Sequence, residues 1–179
     1  MNKLIYITTS IPYVNARPHI GHALELVQAD AIARYYRLRR KRIVFQTGTD
    51  ENAFKNVLAA KEKGVNTKDL VDENACRFRE LVQALSVTAD TFIRTTESRH
   101  RKGVIAFWEK LSRDDIYRRP YQGLYCTGCE DFYRERELIE GKCPEHATKP
   151  VTVKEDNYFF RLSGYQERIA SLIESDTIR

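Results

Sequence analysis

Three short runs of β-branched and aromatic residues, each followed by a longer stretch with helical spacing, limit the folds open to this chain more than any other feature. Residues 4–9 (Leu-Ile-Tyr-Ile-Thr-Thr) read as a buried strand that ends in a loop containing Pro12. From Ile20 an apolar stripe through Leu24, Val27, Ala31, Tyr35 and Leu38 predicts a helix. Residues 43–47 read as a second strand stopped by Gly48, and residues 91–96 as a third. Between these two lie a helix carrying Phe54, Val57 and Leu58 that ends near Gly64, and another, capped by Thr67, with Val71, Ala75, Phe78, Leu81, Val82 and Leu85 on its apolar face. A further helix is expected through Val104, Phe107, Trp108 and Leu111. Strand alternating with helix three times predicts the α/β class, a doubly wound parallel sheet.

The rhythm changes near residue 115. Residues 115–153 are turn-rich, aromatic and cysteine-bearing, with no long amphipathic helix; order resumes at Tyr158-Phe159-Phe160-Arg161-Leu162, followed by a helix over residues 164–174. Two domains are therefore expected, 1–115 and 116–179.

Composition removes several classes. The chain has 179 residues, 42% hydrophobic and 31% charged, as an ordinary globular protein does. Its net charge of +5 permits a polyanionic partner without requiring one. No apolar run approaches the roughly 18 residues of a membrane span, and the first residues turn polar at Thr8-Thr9-Ser10, too early for an export signal. No membrane association and a cytoplasmic location are expected.

Without an export signal, clustered cysteines point to metal before disulfide. Cys126-x-x-Cys129, thirteen residues, then Cys143-x-x-His146 supply four ligands of the kind zinc prefers. Gly128 and Pro144 suit the two chelating turns. Four protein ligands leave no open position, so the predicted zinc is structural. Cys76, beside Ala75 and Phe78, is expected in apolar packing.

The first strand-to-helix junction carries no phosphate-binding glycine pattern and instead reads Thr-Ser-Ile-Pro-Tyr, then Pro18-His19-Ile20-Gly21-His22. A helix start attracts anions. His19 and His22, three apart, share one face there and can donate to phosphate oxygens. Gly21 between them would let a flat base approach the backbone. The bland alternative is a helix start with two polar histidines.

The whole string resembles the HIGH signature of class I aminoacyl-tRNA synthetases. Its neighbours resemble methionyl-tRNA synthetases: Thr-Ser-Ile-Pro-Tyr, Phe45-Gln46-Thr47-Gly48-Thr49-Asp50-Glu51, Phe92-Ile93-Arg94-Thr95-Thr96, Tyr121-Gln122-Gly123-Leu124-Tyr125-Cys126 and Tyr158-Phe159-Phe160-Arg161-Leu162. The likeness spans nearly the whole chain. It implies the first half of a Rossmann-like nucleotide-binding sheet, followed by an inserted zinc-knuckle module. It also implies roles. His19, Gly21 and His22 would bind ATP, with both histidines catalytic; Ile11, Tyr13 and Asp50 would bind methionine, Asp50 through its α-ammonium. Methionine, ATP with Mg2+, and tRNA(Met) are the implied substrates.

Two departures stand out. The family often continues Asp-Glu-His-Gly where this chain has Asp50-Glu51-Asn52-Ala53, and commonly has glycine before the second strand where this chain has Arg40-Lys41. The basic cluster Arg37, Arg39, Arg40, Lys41 and Arg42 reads as a solvated helix terminus. The family's second signature, Lys-Met-Ser-Lys-Ser, does not occur, and Met1 is the only methionine. An N-terminal fragment inactive alone is expected, its partner being the missing C-terminal half. The alternative is a truncated, non-catalytic paralogue that binds RNA or a protein through the zinc module. Another nucleotidyltransferase with the same signature fits less well, since it would not carry the zinc insertion.

Overall fold

Short β-branched strands joined by amphipathic segments produce the expected parallel sheet in the computed structural model, which describes residues 4–175. Strands β1 (Ile5–Thr8), β2 (Ile43–Thr49) and β3 (Thr91–Arg94) lie in the order β1-β2-β3, both pairings parallel. Helix α1 (Ile20–Leu38) connects the first pair; α2 (Phe54–Lys63) and α3 (Thr67–Ala84) connect the second; α4 (Ser98–Trp108) follows β3. Gly64 closes α2 with φ +65°, as a left-handed C-terminal cap should.

Several local readings change. Gly48 does not stop β2 but lies inside it, where a Cβ would sit 2.2 Å from the Ile93 carbonyl oxygen. The glycine thus serves close strand approach rather than termination. Asn66, not Thr67, caps α3, its side chain accepting the Lys68 N–H at 2.8 Å. The apolar stripe of α1 is solvent-facing: Ile20, Leu24, Val27, Tyr35 and Leu38 are exposed, and the buried residues are Leu26, Asp30 and Ala33. A tertiary hydrogen bond from Thr88 decides this, supported within the helix by Arg34. Asp30 accepts the Thr88 N–H at 2.7 Å and the Arg34 Nε–H at 2.6 Å. Cys76 is exposed on α3, with Sγ 3.7 Å from Glu80 Oε1, because Ala75 and Phe78 already occupy the buried face. Val14, Val71, Ala75 and Phe78 form the packed cluster, joined by Phe92.

The chain divides into two compact units, Met1–Val104 and Ile105–Arg179, the cut falling within α4 and ahead of residue 115. The second unit contains more order than its turn-rich sequence suggests. Strand β4 (Ile116–Cys126) pairs antiparallel with β6 (Val151–Phe160) along ten residue pairs, and with β5 (Asp131–Tyr133) at its far end. The aromatic residues become cross-strand pairs, Tyr117 stacking on Phe159 at 5.6 Å. Helix α5 (Gln166–Glu174) closes the described chain. Among the described residues, no helix is long and apolar enough to cross a membrane.

Candidate nucleotide and amino-acid site with a metal knuckle

The histidine signature folds into a reciprocal cap. His19 lies just outside α1, as its N-cap, rather than within the helix. Its Nδ1 accepts the Gly21 N–H at 3.1 Å, while Nδ1 of His22 accepts the His19 N–H at 3.2 Å. The rings stack with centroids 3.9 Å apart, and Phe78 meets His22 edge-on at 5.0 Å. An Nδ1 that accepts leaves the proton of a neutral imidazole on Nε2. Burial holds the pKa of His22 below its ordinary value; neighbouring His19 adds to this and Glu25 opposes it. Gly21 has a reason unrelated to a base: a Cβ there would lie 2.9 Å from Cε1 of His19. His22 lines a crevice with Thr9, Ser10, Pro12, Glu25 and Gly48, and the Glu25 carboxylate ties the loop to α1 through Ser10 N–H and Oγ–H, both at 2.7 Å.

Tyr13 and Asp50 come together independently of the histidines. They form an isolated parallel bridge just past the carboxyl ends of β1 and β2, and the Asp50 N–H donates to the Pro12 carbonyl at 2.9 Å. Open α/β sheets bind ligands at this end of their strands. Ile11 lies on the same loop, 36% exposed. Lys55 sits 5.3 Å above the Tyr13 ring. The structure thus joins His19 to His22 and Tyr13 to Asp50; Ile11 shares only the loop.

Sequence reading missed the cluster behind Asp50. Glu51, its side chain fully buried, accepts Arg94 Nε–H at 2.5 Å and Nη2–H at 3.0 Å, Thr49 Oγ–H at 3.0 Å, and the Thr96 hydroxyl. Arg94 also pairs with Asp72 of α3. The hydrogen bond to Glu51 raises the Arg94 pKa further, against the opposing effect of burial, with Asp72 adding to the rise. Such pairing satisfies the hydrogen-bonding capacity of a carboxylate taken out of water. The available signal was the polar triplet Arg94-Thr95-Thr96 at a strand's carboxyl end. In the basic cluster, Arg37 is not simply solvated: it donates to Thr88 Oγ1 at 2.5 Å and Asp90 Oδ2 at 2.9 Å.

Cys126, Cys129, Cys143 and His146 place their ligand atoms within 4.8 Å of one another. Cys129 Sγ lies 3.4 Å from Cys143 Sγ and 3.2 Å from His146 Nδ1, and Cys143 Sγ lies 3.9 Å from that nitrogen. A tetrahedral zinc with Zn–S of about 2.3 Å sets sulfur atoms about 3.8 Å apart, so the donor set fits. The two chelating turns have the same build. Glu130 N–H donates to the Cys126 carbonyl and Ala147 N–H to the Cys143 carbonyl, each at 2.8 Å, and Glu130 and Ala147 both have positive φ. Gly128 is required because the His146 ring covers it, Cγ lying 2.5 Å from where a Cβ would stand. Tyr133 donates to Cys129 Sγ at 3.1 Å, an outer-shell hydrogen bond of the kind that orients ligands.

Comparison with known proteins identifies the family. The family described as tRNA synthetases class I (M) matches residues 5–151. Methionine–tRNA ligase of Clostridium perfringens is 42% identical over 96% of this chain and 27% of its own length; that of Rickettsia bellii is 42% identical over 98% and 35%. The structure of Mycobacterium tuberculosis methionyl-tRNA synthetase in complex with methionyl-adenylate superposes with a TM-score of 0.90 at 39% identity, covering 97% of this chain and 35% of that one. The chain spans about a quarter to a third of the length of these relatives. With the family match extending from β1 into β6, the chain belongs to the tRNA synthetases of class I (M).

Proposed function

We propose that this chain supplies the ATP- and methionine-binding part of a methionine–tRNA ligase, which activates methionine with ATP and transfers it to tRNA(Met). In activation the methionine carboxylate oxygen attacks the α-phosphorus, the bond from that phosphorus to the bridging oxygen breaks, and pyrophosphate leaves. The observation that carries the reading is the reciprocal histidine cap. With both Nδ1 atoms accepting backbone N–H groups, each Nε2–H is available to a phosphate oxygen without reorganisation. The lowered pKa of His22 keeps that ring neutral near pH 7, with a defined tautomer. His19, Gly21 and His22 take the magnesium complex of ATP as substrate. Asp50 meets the α-ammonium of methionine, and Ile11 and Tyr13 line the side-chain pocket.

Residues 1–115 are the first half of the nucleotide-binding catalytic domain, and residues 116–179 belong to the inserted module, whose four ligands would hold zinc. Cys126, Cys129, Cys143 and His146 would fill all four positions of a bound zinc, whose contribution would be structural. The cytoplasm is the proposed location. Charge developing on the phosphates is held from more than one side in such reactions, and a lysine-rich second signature does not occur among these 179 residues.

Methionine-dependent ATP–pyrophosphate exchange tests this. Residues 1–179 alone are expected to give none. Joined in cis or in trans to a segment bearing the lysine-rich signature, they should exchange with methionine and not with the other amino acids. RNA binding by the zinc module without exchange in either form would support the non-catalytic alternative.

A further inference from the structure

We propose that Thr95 is the positioning residue that orients the Asp50 carboxylate toward a substrate α-ammonium group, an inference that rests on the reading of Asp50 given above. Thr95 stands just beyond β3, 6% exposed, its N–H donating to the Thr49 carbonyl at 3.3 Å. Its Oγ1 accepts two donors from consecutive residues of the loop after β2: the Glu51 N–H at 2.8 Å and the Asn52 Nδ2–H at 3.3 Å. With the loop held in this way, the Asn52 N–H donates to Asp50 Oδ1 at 3.1 Å. One hydroxyl therefore fixes the residue whose backbone sets the orientation of the carboxylate.

The rest of the loop is secured without Thr95. The Asp50 N–H is bonded to Pro12, and its carbonyl accepts Asn56 Nδ2–H at 3.4 Å. The Glu51 side chain is gripped separately by Arg94, Thr49 and Thr96. Loss of the Thr95 hydroxyl therefore releases the Glu51 N–H and the Asn52 side chain, while the Asp50 backbone and the Glu51 carboxylate keep their own partners. A carboxylate with one oxygen engaged by a fixed N–H presents a fixed plane, and a compact ammonium with three donors binds best to a carboxylate that does not rotate. Binding energy lost through disorder of that group appears in the KM of the ligand it meets.

The test uses the exchange-competent polypeptide joined to the lysine-rich segment, with Thr95→Val, Thr95→Ser and Asp50→Asn. Thr95→Val is nearly isosteric and removes the acceptor. It is expected to raise the KM for methionine about tenfold with the KM for ATP unchanged, while Thr95→Ser stays near wild type. In the Asp50→Asn background Thr95→Val should add nothing. Within residues 1–179 themselves, the Asn52 amide should exchange hydrogen faster in the Val variant than in the Ser variant. An unchanged methionine KM in Thr95→Val, where Asp50→Asn raises it, overturns the proposal; so does an equal rise for ATP, or an Asn52 exchange rate that does not move. A normal methionine KM in Asp50→Asn, or no exchange by the wild type, removes the reading of the site itself and the proposal with it.

Discussion

The imidazoles of His19 and His22 are locked to each other through the backbone between them: each Nδ1 accepts an N–H from the same helix start, and the rings stack at 3.9 Å. The helix therefore caps itself with the two groups proposed to meet phosphate. Capping and ligand binding use different nitrogens, so the pair is set before any nucleotide arrives.

Gly21→Ala separates these two functions. A Cβ would lie 2.9 Å from Cε1 and 3.1 Å from Nδ1 of His19, forcing the ring out of its capping position. The lost cap costs about 1 kcal/mol, offset by about 1 kcal/mol of helix propensity gained from alanine. Denaturant titration should show almost unchanged stability, whereas calorimetric titration of an ATP analogue should show affinity reduced about tenfold or more.

Asp30 joins α1 to the turn before β3 through Thr88 and Arg34. Burial works against ionisation, but the bonds from Thr88 and Arg34 outweigh it and hold the pKa below its ordinary value of 3.8. A depressed carboxylate contributes stability that is complete above pH 3.8 and is lost as pH falls through the folded-state value. Asp30→Ala should cost about 2 kcal/mol at pH 7, and the difference from wild type should shrink below pH 3.8 in thermal unfolding scans.

The metal knuckle predicts one zinc per chain in protein purified without added metal. Cys143→Ser or Cys126→Ser should lower the zinc content below half an equivalent and loosen residues 121–150 to proteolysis. Gly128→Ala, which removes no ligand, should weaken zinc retention because its Cβ meets the His146 ring at 2.5 Å. Full zinc retention by Gly128→Ala would contradict the position of that ring.

What the sequence disclosed was local. Cys126-x-x-Cys129 and Cys143-x-x-His146 each place two ligands on a single turn, so their spacing was enough to find the cluster. The strand-to-helix rhythm placed β1, α1, β2 and β3 because periodicity of 2 and 3.6 is written in consecutive residues. The buried face of α1 was not legible. It depends on Asp30 reaching Thr88, 58 residues away, and the apolar stripe pointed to the opposite face. The β4–β6 pairing was hidden for the same reason: Tyr117 pairs with Phe159 across the whole intervening knuckle. Glu51 and Thr95 look like ordinary polar residues until β2 and β3 stand side by side, 44 positions apart in the bond they share.

The measurement that bears most directly on the proposed role of the histidine cap is methionine-dependent ATP–pyrophosphate exchange by His22→Ala, in the polypeptide joined to the lysine-rich segment. Removing a preorganised donor from the phosphates should lower the exchange rate by roughly 10²–10³-fold, while zinc content stays at the wild-type level and stability falls only by the lost capping bond, about 1 kcal/mol. Exchange at the wild-type rate by a folded His22→Ala protein would contradict the assignment and leave the cap a structural feature of α1 alone.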